Sequence, residues 1–244
     1  MEMRRGVAFL AVLLLGMNFF SACSEKKDIS TLSDLAYNKQ NKSNHEIYLL
    51  ENDVYVPYLV ITDDYKGNTL LLRRNVLDEP LRINEYYSYY ENSEIDVFLN
   101  SIFLNQFNEI ADVIKSVDIS IISDDSIGIS GDEKITINRK IFLLSIGELN
   151  IDSVEQEGDS IAFFNEVKNR ISYTENGSCV SWWLRTPDTW RVSCTYTIGS
   201  NNMLGSANSS DLNYVRPAFC LDSKLPVTIS DEIVTGGSCY ILEE

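Results

Sequence analysis

From Val180 to the C-terminus the chain is a series of short runs rich in β-branched and aromatic residues. The runs "SWWLR", "WRVSCTYTI", "YVRPAFCL" and "SCYIL" alternate with polar loops, the longest being "GSNNMLGSANSSDLN". Short apolar runs between turn-formers predict strands, whereas helices need longer stretches at a period of about 3.6. This half of the chain is therefore confined to sheet and loop.

All three tryptophans lie in one segment of it, "CVSWWLRTPDTW", Cys179–Trp190. On a strand, adjacent Trp182 and Trp183 point to opposite faces. One is core; the other covers the opposite face or lines a groove. Arg185 shares the parity of Trp183, and Pro187 ends the strand or forces a turn. Trp182, Trp183, Arg185 and Arg216 are read as structural anchors, the two guanidiniums at least partly buried.

The first half mixes element types. "VYVPYLVITDDYKGNTLLLRR" reads as two strands, Tyr55–Ile61 and Leu70–Leu72, about a turn, with Pro57 at an edge or a strand start. "NSEIDVFLNSIFLNQF" is the best helix: Ser93 and Asp96 fit an N-cap box, and Ile95, Phe98, Leu99, Ile102 and Phe103 form one stripe. A second short helix is expected over Asn108–Lys115 and another in "SIAFFNEVKNRI". "DISIISDDSIGISGDEKITIN" reads as short strands about an acidic turn. "KIFLLSIGEL" reads as a buried strand, Ile141–Leu144, running into a capped turn at Ser145 and Glu148. This order is α+β.

The N-terminus is organised differently. "MEMRRGVAFLAVLLLGMNFFSAC" carries Arg4 and Arg5, an apolar run from Val7 to Leu15, and small residues before Cys23. That is the pattern of a secretory signal over residues 1–22. "FSAC" resembles the lipobox of bacterial lipoproteins, with Phe20 where Leu is usual, and implies that Cys23 is lipidated. Residues 23–45 are polar and read as a flexible tether, leaving 46–244 as one domain.

The 244-residue chain has a net charge of −16; without the signal, whose Arg4, Arg5 and Glu2 sum to +1, it is −17. Such a surface repels phosphate backbones, so nucleic acid is excluded as a partner, and membrane contact is assigned to the lipid alone. Cys179, Cys194, Cys220 and Cys239 form an even set in an exported chain, so disulfides among them are expected over free thiols.

The segments "LLRRNVLDEPL", "YYENSEIDVFLNSIFLNQF", "KIFLLSIGEL", "WWLRTP" and "YVRPAF" occur in this order. Together they resemble a bacterial domain-of-unknown-function family, number six-two-seven-three, common in exported proteins of Gram-positive gut bacteria. Its members show a serine-started helix, a "FLLS" strand, a "WWLRSP" motif and a closing "GVRPA" strand. The likeness spans Ile47–Leu221. Thr186, Asp188 and Tyr214 stand where Ser, Gly and Gly are usual. The closing "VRPAF" is also similar to the final strand of C-type-lectin-like and formylglycine-generating-enzyme-like domains. The resemblance implies a C-type-lectin-like fold: a twisted antiparallel sheet, two or three helices and a loop-rich C-terminal half. The copper chemistry of the formylglycine enzymes needs two closely spaced cysteines, and Cys194, Cys220 and Cys239 are far apart.

The one histidine, His45, falls in the expected tether, which removes Ser-His-Asp and Cys-His chemistry from the domain. Glu155, Glu157 and Asp159 read as a solvated loop. The oxygen-rich turns at Asp124–Glu133 and at Asn201, Asn202, Asn208 and Asp211 lack the alternation of a calcium loop, so no metal or cofactor is assigned. Trp190, Tyr196, Asn201, Asn202, Asn208 and Tyr214 are the candidate binding residues, because aromatic and amide side chains on loops make adaptable contact surfaces. The expected role is non-enzymatic binding of an extracellular glycan or protein. The alternatives are a carboxylate-based hydrolase and a structural subunit of an envelope assembly.

Overall fold

Two tight hairpins start the fold. Strand β1 (Glu46–Glu51) alternates half-buried and buried residues and pairs antiparallel with β2 (Val54–Tyr65). Only Asn52 and Asp53 lie between them, both in left-handed conformation at φ 47° and 64°. Asn and Asp tolerate that region, which gives two-residue hairpin turns the twist of their strands. β2 and β3 (Asn68–Arg73) are joined the same way through Lys66 and Gly67. These bonds and contacts belong to a computed structural model describing residues 29–38, 45–108, 110–235 and 237–243. Pro57 lies in a central strand, yet its carbonyl faces Arg74, just past the end of β3. Its missing N–H points the same way, so the bond it forgoes, to Arg74 O, lies at the end of the β2–β3 ladder and not in the β1–β2 ladder.

Helix α1 (Glu94–Phe98) is capped by Ser93, whose Oγ accepts from Asp96 N at 3.3 Å. It gives way to a wider π turn at Leu99–Phe103 and a 3₁₀ turn at Leu104–Gln106. Ile95, Leu99 and Phe103 are buried, but Ile102 is exposed, so the apolar stripe is narrower than its sequence implies. In the widened turn Asn100 reaches the backbone of the next sheet: its Nδ2 donates to Ile141 O and its Oδ1 accepts from Ile141 N.

The remaining strands are β4 (Val117–Ile122), β5 (Lys134–Arg139), β6 (Ile141–Phe142), β7 (Ser172–Tyr173), β8 (Cys179–Val180), β9 (Trp182–Pro187), β10 (Cys194–Ile198), β11 (Leu204–Asn208), β12 (Ala218–Leu221), β13 (Val227–Ser230) and β14 (Cys239–Leu242). The main sheet has seven strands in the order β13-β14-β1-β2-β3-β12-β6. Every pair in it is antiparallel except β1 with β14, which brings the two ends of the domain together. A three-stranded sheet β11-β10-β9 and the pairs β4-β5 and β7-β8 complete the described architecture. One core runs through all of it, centred on Tyr58, Phe103, Phe107, Phe142, Trp182 and Phe219. The domain is thus mainly β, with one short helical segment, and this is compatible with an α+β class.

Several sequence-based expectations are corrected. The helix expected over Asn108–Lys115 is a set of turns where described, and "SIAFFNEVKNRI" forms two 3₁₀ turns broken at Glu166. The strand Ile141–Leu144 is hydrogen-bonded to β12 only at Ile141 and Phe142. The expected tether is folded in part. Leu32–Leu35 is a 3₁₀ turn whose leucines are fully buried, and Leu32 N donates to Leu225 O at 2.8 Å. His45 belongs to the domain too, packed edge-on to Tyr37 and Phe163. Cys23 and the signal segment lie outside the described residues.

Candidate functional site

The tryptophan strand is buried along its whole length. Trp182 Nε1 donates to Arg170 O at 2.9 Å and Trp183 Nε1 to Leu81 O at 2.8 Å. Both indoles are therefore satisfied core residues, and neither lines a groove. Arg185 is fully buried beside them. Its Nη1 and Nη2 grip the Glu148 carboxylate at 2.7 and 2.9 Å, while Nε and Nη1 also donate to Ser120 O and Leu143 O. Burial opposes the charge, but Glu148 outweighs it and raises the guanidinium pKa. The Ser145–Glu148 capping box forms, with Ser145 N donating to Glu148 Oε2 and Glu148 N to Ser145 Oγ. Tyr65 adds a third donor to Glu148, at 2.6 Å.

Glu155 and Glu157 are not a solvated loop; both are buried, and only Asp159 is open to solvent. Glu157 accepts from Ile122 N and from Thr186 Oγ1, and stands 3.7 Å from Arg185 Nε. Burial pushes its carboxyl up to about 7, against the pull of Arg185. Glu155 accepts from Thr189 Oγ1 and Tyr196 OH. Sequence reading missed these acids because their donors come from segments far along the chain. A local signal existed in Gly147 and Gly158. A Cβ on Gly147 would meet Glu157 O at 2.7 Å, and one on Gly158 would meet Glu148 at 2.9 Å. Glu148 and Glu157 are fully buried against one arginine, so they are placed to hold strands together and cannot meet a substrate.

The surface above this clamp is the β9–β10 turn. Trp190 is 71% exposed, although the backbone beneath it is tightly held. Asp188 Oδ1 accepts from Trp190 N, and the other carboxylate oxygen of Asp188 pairs with Arg191. Thr189 O accepts from both Gly128 N and Ser130 N, which lays the 128–130 loop alongside. Exposed Ile129 sits on that loop, exposed Val192 lies two residues beyond Trp190 and against Gly128, and Ser206 on β11 bonds Arg191.

The other candidate binding residues divide. Tyr196 and Asn208 share the face near this turn, and burial beside Glu155 pushes the Tyr196 hydroxyl up to about 12. Asn201 and Asn202 lie at the opposite end of the β10–β11 hairpin, where they shape the turn: Asn201 Oδ1 accepts from Met203 N, and Asn202 Nδ2 donates to Val167 O. Tyr214 is half-buried and bridges to Trp182. Arg216 is buried over the Trp182 ring, 5.5 Å from its centroid. The four cysteines are free thiols in this structure, which departs from the disulfides expected. Cys194, Cys220 and Cys239 face Asn208, Leu70 and Ser230 across their ladders and so lie on separate strands of two sheets.

No curated protein and no solved structure matches the chain. A family model does match, that of the Domain of unknown function (DUF6273), over residues 66–223. The matched span runs from the β2–β3 turn through α1, the Glu148–Arg185 clamp and β9 to just past β12; it holds three of the seven strands of the main sheet, the whole β11-β10-β9 sheet and the Trp190 turn. The chain belongs to the DUF6273 family.

Proposed function

We propose that this chain is a bacterial surface lipoprotein whose domain binds an extracellular partner without catalysis, and that the partner is a protein. The observation that carries this reading is Trp190, an indole 71% exposed on a turn whose backbone is fixed on both sides. A large side chain on a rigid mount loses little entropy on binding, and tryptophan is the residue type most enriched in interface hot spots. Ile129 and Val192 extend the apolar contact, and Arg191, Ser206 and Asn208 form a polar rim, the anatomy of a protein interface more than of a sugar cleft. A main sheet that is antiparallel but for the β1–β14 pair, and a long, loop-rich segment before β12, support a C-type-lectin-like fold for this display.

The test is a binding screen of the domain, from Ile29 onward, against extracellular proteins and a glycan array. A protein partner is expected, with Trp190→Ala weakening it at least 100-fold and leaving the thermal midpoint unchanged. A glycan as the only ligand would replace the protein reading. Polysaccharide turnover, or full binding by Trp190→Ala, would overturn the proposal.

A further inference from the structure

Arg73, Arg74, Arg82, Arg139, Arg185 and Arg191 each pair with a carboxylate. Arg170 and Arg216 pair with none among the described residues, in a chain of net charge −16, and of these two only Arg216 is fully buried. It is not a loosely held surface residue. It is 2% exposed, stacked on Trp182, and fixed through Nε to Arg73 O at 2.9 Å. Its Nη1 is buried with no hydrogen-bond partner. Burial alone draws its pKa downward. An unpaired buried charge of this kind is expensive, and folds keep one where something outside the chain completes it.

Arg216 lines a cavity of about 490 Å³, inside the range of roughly 300–1,000 Å³ usual for small-molecule sites. Phe163 and Tyr173 give the cavity aromatic wall, and Asn75 brings an amide with no side-chain bond to a described residue. Arg74 and Lys168 also line it, but Glu46 and Glu166 already match them at 3.0 Å each. Glu175 is the carboxylate on the lining, and it faces Arg73 at 3.8 Å. Glu51 already holds Arg73, so Glu175 offsets one positive charge at the exposed edge of the cavity, and what stays unsatisfied is the buried Nη1 donor of Arg216.

We propose that this cavity binds a small molecule bearing one carboxylate, seated against Arg216 and the Asn75 amide. A planar carboxylate suits the free end of a guanidinium whose Nε is already engaged. A dianion such as phosphate would bring two negative charges beside Glu175, with Arg216 the one lining cation not already held by a carboxylate. The site is separate from the Trp190 surface and does not depend on the reading given for it.

The experiment is calorimetric titration of the full chain with sodium glucuronate and sodium acetate, with glucose and inorganic phosphate as controls. At least one carboxylate is expected to bind at least 10-fold more tightly than either control. Arg216→Met and Asn75→Ala should each weaken it, the first by 10-fold or more. Thermal melts give a second readout that a purely structural role would reverse. Without ligand, Arg216→Met should melt at the same or a higher temperature, because it removes an unpaired buried charge. The proposal fails if neither carboxylate binds, if phosphate binds more tightly, or if folded Arg216→Met binds like the parent. It also fails if that variant loses thermal stability in the absence of ligand.

Discussion

Glu157 is the residue whose setting departs furthest from its sequence. In "EQEGD" it reads as one of several solvated acids, yet it accepts bonds from Ile122 N and Thr186 Oγ1 deep inside the domain. Its carboxyl is pushed up to about 7 from an ordinary 4.5, chiefly by burial. The folded state therefore holds this proton more tightly than the unfolded chain does. Its contribution to stability is complete below pH 4.5 and is lost as the pH rises through about 7, a change on the order of 3 kcal/mol. Urea unfolding of the parent between pH 5 and 8 should show this decline, and Glu157→Gln should lack it. Identical pH profiles for the two proteins would rule out a raised Glu157. No periodicity could have exposed this acid, since its donors lie 35 and 29 residues away.

At the scale of elements, what was legible in the sequence was whatever local chemistry decides. The Ser93 cap, the Ser145–Glu148 box, the β4–β5 hairpin and the strand of Trp182 and Trp183 all form as their residues specify. Helix lengths were not legible. Asn100 satisfies the backbone at Ile141, and the turn that carries it is the widened one. Glu166 leaves helical geometry to break the next segment and takes a bond from Tyr37 OH. β9 is joined to its surroundings by several side chains, of which Arg185 makes the most bonds. Arg185 bonds the Ser120 carbonyl of β4, Leu143 after β6, and Glu148 of the capped turn. Arg185→Ala would leave the fully buried Glu148 without its cation. The expected loss is about 3–5 kcal/mol in denaturant unfolding. A double variant that also carries Glu148→Leu should recover part of that loss, because the stranded charge goes with it. Equal stability of the parent and the single variant would show that the clamp contributes nothing.

For the whole molecule, the correction to the tether alters how the domain would sit on a membrane. Ile29 is the first described residue, and the turn after it is sealed into the core by Leu32 and Leu35. Thr31 bridges to Pro226, and Leu32 and Ser33 bond Leu225 and Ser223. If Cys23 carries the lipid, five residues lie between it and Ile29, and the six chain steps across them reach about 20 Å when fully extended. Such a leash holds the domain close to the bilayer, with its β12–β13 corner nearest the anchor. A charge of −17 without residues 1–22 would repel anionic lipid heads, so under the proposed anchoring the lipid on Cys23 would do the holding. Cys23→Ala is accordingly expected to move the protein from the membrane pellet to the soluble fraction, with no change in unfolding midpoint. The second half of that outcome separates anchoring from folding, since the packed residues begin after the cysteine. Retention of Cys23→Ala in washed membranes would overturn the lipid anchor and point to contact through the folded surface.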